Sequence, residues 1–421
     1  MTVRVTTLDS GLRVVTDAMD GVESLTVGMW VDVGARDETA DIQGISHLLE
    51  HMAFKGTQRR SAIAISEEIE AVGGHLNAYT SREQTAYYAR VLAQDLPLAV
   101  DLLADILQHS TFAAEELARE RQVIAQEIAQ VDDTPDDLIF DLFQETAYPG
   151  QPMGRSILGT AEGVAGLDRD RLRGYLREQY RAGRMVLVGA GRVEHERLVD
   201  LAQSSFGSLP VNGHRVRTAP VYAGGDRREE RDLEQLHLVV GFDAVPYDHP
   251  GYYALQVLST LLGGGMSSRL FQEVREKRGL AYSIYTFASS YMDGGLFGVY
   301  AGCGTDQAGE LARVVADQIL AAAEGIGEAE VQRAKAQLRA GLLMAQESSS
   351  SRAETAGRQM LVYGRPVPVA ELVARIDAVT PADTAAIGRT VVAGGPPTVT
   401  AIGPGEGLAA YDTLMARLAA H

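Results

Sequence analysis

SLTVGMWVDVG (residues 24–34) predicts a β-strand, and GISHLLEHMAFKG (residues 44–56) predicts a helix that stops at a glycine. These two segments decide the fold because the same pair recurs about half a chain later. QLHLVVGFDAV (residues 235–245) is again typical of a strand, and GYYALQVLSTLL (residues 251–262) of an apolar helix, which three glycines follow. A strand and a helix repeated in one order indicate an internal duplication.

Both halves of the chain continue with matching elements. Each half is predicted to contain a strand (85–93 or 294–301), a helix (96–108 or 308–323), a longer helix (115–131 or 328–346) and a closing apolar run (185–191 or 398–405) followed by a further helix. We therefore predict an α+β fold of two homologous domains, residues 1–215 and 216–421. The join is expected between about Pro210 and Arg228, where Pro, Gly, His and Arg accumulate without apolar periodicity.

Composition excludes several classes of protein. Cys303 is the only cysteine among 421 residues, so internal disulfides and cysteine-based zinc clusters are ruled out, and a reducing compartment is favoured. The first nine residues run into strand-like sequence without a signal or transit pattern, which predicts a cytoplasmic protein. No apolar stretch reaches the roughly 20 residues of a membrane-spanning helix. A net charge of -18 disfavours nucleic acid and suits a basic substrate.

The first predicted helix carries the pattern H-x-x-E-H. His47 and His51 lie one turn apart and project from the same face, so both imidazoles can share one metal ion. Glu50 falls beside that face, where it can accept a proton from water. The alternative is an ordinary amphipathic helix with a solvated glutamate. The pattern is typical of one class of zinc peptidases, and catalytic zinc normally needs a third protein ligand.

A source for the third ligand is the helix EELARERQVIAQEIAQV, in which Glu120 and Glu127 lie seven residues apart on nearly the same face as Val123, Ile124 and Val131. Carboxylates on an apolar face need a partner. The second half shares the architecture without this chemistry: its helix at 251–262 has no histidine or carboxylate, and Ala334 and Gly341 stand near the positions of the two glutamates.

Five motifs follow one another along the chain: HLLEHMAFKGT (47–57), GGHLNAYTSREQTAYY (73–88), ERQVIAQEI (120–128), GQPMGRSILGT (150–160) and REKRGLAYS (275–283). Together they closely resemble the pitrilysin/insulinase-type metallopeptidases, in particular the smaller branch that includes mitochondrial processing peptidase and its bacterial relatives. The resemblance implies mostly antiparallel sheets packed with helices and a clam-like half-chamber. It makes His47, His51 and Glu127 the Zn²⁺ ligands, Glu50 the catalytic base and Glu120 an auxiliary carboxylate.

The resemblance also implies substrate contacts. Asn77 and Ala78 match an edge-strand segment that receives the substrate backbone by β-augmentation. Arg275 and Tyr282 match a pair that suits a developing oxyanion, although a surface helix charge and a packed strand residue would show the same spacing.

Three further residues match specificity positions of the family. Asp137 and Asp141 correspond to acidic residues that recognise arginine near the cleavage site, and the alternative is a solvated acidic face. Phe54 corresponds to a residue of the pocket after the scissile bond, and the alternative is a core residue.

The predicted function is therefore that of a zinc-dependent endopeptidase. It would hydrolyse peptides or unfolded, presequence-like segments and favour basic residues near the cleavage site. By resemblance to bacterial members we expect a homodimer that does not bind nucleic acid or membranes. The alternative function is a noncatalytic scaffold or a partner subunit of a heteromeric processing peptidase. The other seven histidines lack metal-ligand spacing.

Overall fold

The structure is a computed structural model that describes residues 3–211, 217–405 and 410–418. The predicted α+β class is confirmed, because the described residues form two sheets surrounded by helices. The strands are β1 (Val3–Thr7), β2 (Arg13–Ala18), β3 (Ser24–Val31), β4 (His75–Thr80), β5 (Thr85–Leu92), β6 (Met185–Gly191), β7 (Gly225–Glu230), β8 (Leu236–Asp243), β9 (Ala281–Ser290), β10 (Gly295–Cys303) and β11 (Thr398–Gly403).

The described helices include those that the apolar periodicity predicts, together with others that it does not. They are α1 (Ile45–Ala53), α2 (Ala62–Ala71), α3 (Leu96–Gln108), α4 (Ala114–Asp132), α5 (Pro135–Ala147), α6 (Ala161–Ala165), α7 (Arg169–Gln179), α8 (His195–Phe206), α9 (Tyr252–Gly263), α10 (Ala308–Glu324), α11 (Glu328–Ala345), α12 (Ser349–Tyr363), α13 (Val369–Asp377), α14 (Pro381–Ala393) and α15 (Ala410–Leu418). Short 3-10 turns lie at Ala35–Asp37, Ala40–Ile42, Ala93–Asp95, Pro152–Gly154, Ala182–Arg184 and Thr305–Gln307, and a π-helical turn at Phe271–Glu276. None of the described helices is long and apolar enough to cross a bilayer.

The two sheets share one topology. The first has the strand order β1-β2-β6-β3-β5-β4, and the second has the order β7-β11-β8-β10-β9. In each sheet one pair is parallel, β2 with β6 and β7 with β11, and the other pairings among the described strands are antiparallel. The second sheet therefore repeats the last five strands of the first, which agrees with the predicted duplication.

Strand β3 shows why the opening segment is rich in apolar residues without strict alternation. Val27 and Met29 are buried in a core that includes Leu103 of α3, whereas Trp30 faces a second core that includes Met360 of α12. Because successive side chains point to opposite faces, a strand covered on both sides carries apolar side chains on both faces.

The chain folds into two compact units that are not contiguous in sequence. Unit 1 comprises Met1–Gln130, Arg155–Thr218 and Met344–Val367, and unit 2 comprises Val131–Gly154, Ala219–Leu343 and Pro368–His421. Helix α5 thus belongs to unit 2 and helix α12 to unit 1, so each unit takes a segment from the other half of the sequence. The predicted boundary between residues 215 and 216 lies outside the described residues. The division of roles between 1–215 and 216–421 stays a prediction.

Candidate metal centre

Helix α1 begins at a glycine with a special backbone conformation. Gly44 has φ 88°, a left-handed value that favours glycine, and a Cβ there would lie 2.8 Å from the carbonyl oxygen of Leu158. The Gly44 and Ser46 amides donate to the two carboxylate oxygens of Glu38, at 2.7 and 2.8 Å. Glu38 therefore caps the free amides at the start of α1. Burial raises the pKa of its carboxyl to about 7, although the hydrogen bonds from Ser46 and Gly44 oppose the rise.

The amphipathic character of α1 separates its core from its chemistry. Ile45, Leu48, Leu49 and Met52 are buried, and His47, Glu50 and His51 lie on the partly exposed side. Because the apolar face is fully packed, the imidazoles are held at one place relative to the sheet.

Helix α4 brings the third predicted ligand to these histidines. Oε2 of Glu127 lies 3.6 Å from Nε2 of His47 and 3.6 Å from Nε2 of His51. One ligand atom from each of the three residues lies within 4.8 Å of the other two. Two imidazole nitrogens and one carboxylate oxygen form a donor set that suits zinc, and a fourth position remains for water or substrate.

Glu120 orients one of the imidazoles. Its Oε2 lies 2.9 Å from Nδ1 of His51, and its Oε1 lies 2.8 Å from Nζ of Lys55. With the proton on Nδ1, His51 donates to this carboxylate, and its Nε2, 3.6 Å from Oε2 of Glu127, keeps a lone pair for a metal ion. This buried charge is thus paired on both oxygens, and it fixes the tautomer that a metal needs.

His47 is also suited to bind a cation in the neutral form. Burial, followed by the neighbouring His51, lowers the pKa of His47 to about 4. Its Nδ1 is buried and makes no hydrogen bond with any of the described residues. The two rings meet edge to face with centroids 4.6 Å apart.

Glu50 lies beside the two imidazoles on the partly exposed side of α1. Burial raises the pKa of its carboxyl, the Thr80 hydroxyl and His51 oppose the rise, and Glu127 adds to it. Oε2 of Glu50 is buried and makes no hydrogen bond within the described part of the chain. A partly desolvated carboxylate of raised pKa, beside two imidazoles, suits proton transfer near neutral pH.

The predicted substrate residues of unit 1 lie on and beside β4. Asn77 and Ala78 pair with Tyr88 and Tyr87 of β5, and β4 is the outermost strand of the sheet. Phe54 follows α1 directly and is half-buried, with its ring centroid 6.5 Å from that of Tyr87. An edge strand beside a metal centre can pair with an extended chain, which at Ala78 would replace the 2.8 Å hydrogen bond from the backbone amide to Oδ1 of Asn77.

Unit 2 brings together the other predicted pair. Arg275 lies in the π-helical turn and Tyr282 on β9, and Nη1 of Arg275 donates to the Tyr282 carbonyl at 3.1 Å. The guanidinium carbon lies 4.5 Å from the centre of the Tyr282 ring, and that tyrosine is 77% exposed. The alternative of a packed strand residue is therefore wrong for Tyr282. Asp137 and Asp141 lie one turn apart on α5.

Two residues of the centre have no part in the sequence predictions. Lys55 follows His51 by four residues, a spacing that indicates a shared side, but lysine is a common surface residue. Glu38 gives no such signal, because its capping role depends on the loop that brings it back to α1. His214 and His421 lie outside the described residues.

A two-histidine, one-carboxylate set with a neighbouring free carboxylate, on a duplicated α+β frame, defines the class of zinc hydrolases. The family model described as "Insulinase (Peptidase family M16)" matches residues 13–161, and that described as "Peptidase M16 inactive domain" matches residues 166–338. The chain belongs to the M16, or insulinase, family of peptidases. Its cofactor is Zn²⁺.

Relatives match nearly the whole chain. An uncharacterized zinc protease of Streptomyces coelicolor is 42% identical over 413 residues, which cover 96% of this chain and 90% of the relative. The probable mitochondrial-processing peptidase subunit beta of Arabidopsis thaliana is 40% identical and covers 98% and 81%. The crystal structure of a protease from Helicobacter pylori has the same fold, with a TM-score of 0.88 at 22% identity over 96% of this chain and 99% of that one.

Proposed function

We propose that this chain is a zinc-dependent endopeptidase with His47, His51 and Glu127 as metal ligands and Glu50 as general base. The observation that carries the proposal is the meeting of the three ligand atoms within 4.8 Å. The buried, unpartnered Oε2 of Glu50 beside them supports a catalytic role, because such a group is costly unless it has a function.

The side chains divide the work of peptide hydrolysis. Zn²⁺, when bound, supplies the Lewis acidity that polarises the scissile carbonyl and acidifies water. Glu50 takes the proton of the attacking water and later delivers one to the leaving amine. Glu120 holds His51 in the required tautomer through the 2.9 Å contact with Nδ1.

We propose substrate contacts for five further residues. The edge of β4 at Asn77 and Ala78 would pair with the backbone of an extended peptide, and Phe54 would line the pocket after the scissile bond. Arg275 and Tyr282 would contact the substrate and the developing oxyanion, a role that the exposed ring and adjacent guanidinium support.

We propose that the substrates are peptides or unfolded, presequence-like segments with basic residues near the cleavage site. Asp137 and Asp141 support this preference, because two carboxylates one turn apart on α5 can hold a guanidinium. In this proposal residues 1–215 supply the metal chemistry, 216–421 supply substrate contacts, and the active form is a homodimer. Sedimentation at assay concentration checks the last point, which an active monomer would contradict.

The decisive experiment is cleavage of a peptide library by the purified chain, with and without chelator and after restoration of zinc. We expect chelation to abolish cleavage and zinc to restore it. Glu50→Gln should retain zinc and lower turnover by roughly 10²–10⁴-fold, the usual contribution of a general base. Glu70→Gln, at an exposed position on α2, is the matched control. Chelator-insensitive cleavage would contradict the metal-dependent mechanism, and the absence of cleavage in every condition would favour a noncatalytic scaffold or partner subunit.

A further inference from the structure

Helix α12 comes from the second half of the sequence and packs on the first sheet, on the face opposite to α3. Three polar anchors fix it along the strands. Thr26 Oγ1 lies 3.0 Å from Ser349 Oγ and 3.1 Å from Ser350 Oγ at the start of the helix. Arg352 forms a 3.3 Å ion pair with Asp17, and Arg13 donates to the Met360 carbonyl at 2.9 Å.

Close packing also holds α12 directly against the face of the first sheet. A Cβ on Gly357 would lie 2.4 Å from Cδ2 of Trp30, so the helix backbone rests directly against the indole. Ala353 and Ala356 are buried in the same cluster. Small residues at such positions allow close approach, and the well-packed contact leaves little room to slide.

Glu354 stands in the middle of this contact and joins two strands. Its Oε2 accepts a hydrogen bond from Trp30 Nε1 on β3 at 3.0 Å, and its Oε1 accepts one from the Tyr79 hydroxyl on β4 at 2.8 Å. Gln84 Nε2 donates to the Tyr79 oxygen at 2.7 Å and lies 3.4 Å from Oε1 of Glu354. Bonds to an ionised acceptor are about twice as strong as neutral ones.

The anchored tyrosine belongs to the strand proposed to receive substrate. β4 is hydrogen-bonded to β5 along one edge, and its other edge carries no strand among the residues that the structure describes. Successive side chains alternate, so Ala78 and Thr80 face the side of α1 and Glu50, whereas Tyr79 faces α12. A strand with one neighbour depends more on side-chain anchors than a central strand does.

We infer that Glu354 is a positioning residue for the peptide-binding strand. Through Tyr79 it holds β4 at a fixed position relative to α1, so an arriving peptide meets an ordered edge. The inference rests on the proposed peptidase function. It extends that function to a residue 275 positions away from Tyr79 in sequence. The segment 344–367 thereby supports the substrate site through β4, and this role requires no contact between the segment and the metal centre.

The test compares Glu354→Gln and Tyr79→Phe with Arg358→Gln, an exposed position on the same helix. An amide replaces one carboxylate oxygen by an NH2 group and removes the charge, so Trp30 Nε1 and the Tyr79 hydroxyl no longer each have a charged oxygen of residue 354 as acceptor, at nearly unchanged volume. With an extended peptide substrate we expect KM to rise by about 10-fold in both test variants, as loss of a charge-assisted hydrogen bond implies. We expect kcat and zinc affinity to stay within about 2-fold of their values in the unchanged chain. Such a change corresponds to much less free energy than one hydrogen bond to a charged group contributes.

Hydrogen exchange provides a readout that needs no turnover. Amides of Asn77 to Thr80 should exchange faster in Glu354→Gln and Tyr79→Phe than in the unchanged chain or in Arg358→Gln, while those of α1 keep their rates. If the unchanged chain cleaves no peptide, the proposed function fails, but faster exchange in β4 still supports the positioning role. Unchanged KM and unchanged β4 exchange would overturn the inference. So would an equal loss of kcat and zinc affinity, which would indicate general destabilisation, and Tyr79→Phe decides the case if Glu354→Gln does not fold.

Discussion

The helix pairs α1/α4 and α9/α11 occupy matching places in the two halves of the chain and differ in chemistry. His47, Glu50 and His51 follow Gly44 by three, six and seven residues, and at the same steps from Gly251 the second half has Ala254, Val257 and Leu258. These three residues are buried. On α11, Ala334 is buried and Gly341 follows it by seven residues, the spacing of Glu120 and Glu127.

The difference teaches that the frame does not need the metal residues to fold. Apolar side chains in the second half can be buried without hydrogen-bond partners, because they have no polar atoms. The first half carries two imidazoles and three carboxylates instead, most of them only partly buried, and its buried Glu120 is paired with both His51 and Lys55. Polar groups that are this costly to accommodate indicate selection for chemistry rather than for stability.

The largest expected effect follows from removing the proposed third ligand, which makes α4 resemble α11. Glu127→Gln replaces a charged ligand with a neutral amide, and Glu127 is partly exposed, so the fold should tolerate it. We expect zinc affinity to fall by more than about 100-fold, because the loss of a residue that only supports a ligand already lowers metal affinity by up to about that factor. Peptidase activity should fall with the zinc affinity. Competition with a chromogenic chelator measures the affinity.

The matched control for that substitution is Glu115→Gln, an exposed glutamate on the same helix. It changes net charge equally without touching the centre. Unchanged zinc affinity in Glu127→Gln would exclude this residue as a ligand and would leave only two of the predicted three.

The next effect tests the support of the ligands rather than the ligands themselves. Glu120→Gln keeps the shape of the side chain but weakens the contact to His51 Nδ1 and leaves Lys55 without its charged partner. We expect zinc affinity to fall by about 10–100-fold, as is usual for second partners of metal-bound histidines. The same chelator titration measures it, and a result equal to that of Glu115→Gln would show that Glu120 serves packing alone.

Local periodicity predicted most of the frame. Helix Leu96–Gln108 and strand Met185–Gly191 have the predicted bounds, because their apolar patterns end at turn residues. The predicted strand at 24–34 ends at Val31, since the backbone turns into the 3-10 segment Ala35–Asp37. Spacing along single helices also indicated that His47 and His51 share one side and that Glu120 or Glu127 could join them, whereas the choice of Glu127 came from the family resemblance.

Long-range packing could not be predicted in this way. Nothing in the pattern of α5 or α12 indicates which sheet each helix covers, because amphipathicity specifies a buried face and not its partner. For the same reason Glu354 escaped notice: its hydrogen-bond partners Trp30 and Tyr79 lie in distant parts of the sequence. Glu38 is a comparable case, since the turn that brings it to α1 has no periodic signal.

A smaller effect concerns selectivity and the role of unit 2. Asp137→Asn with Asp141→Asn should lower cleavage of arginine-containing peptides by about 10-fold, because charged hydrogen bonds to a guanidinium are lost. Neutral peptides of the same length should be cleaved at the original rate, which kcat/KM for paired peptides measures. Equal losses on both peptides would assign the two aspartates to the stability of α5 instead.

The smallest effect compares the glycines at which the two matching helices begin. Gly44 has φ 88° and its Cβ would meet a backbone oxygen at 2.8 Å, whereas Gly251 has φ -82° and its Cβ would meet the movable Ile387 Cδ1 at 2.9 Å. Gly44→Ala should therefore destabilise unit 1 by about 1–3 kcal/mol, the cost of a non-glycine residue in the left-handed region, and Gly251→Ala should cost unit 2 less. Hydrogen exchange of α1 and α9 under increasing urea reports each unit separately. Equal costs in the two units would mean that α1 does not depend on its left-handed start. A larger cost at Gly44 would show that the helix with the metal ligands is built under a constraint that its apolar counterpart lacks.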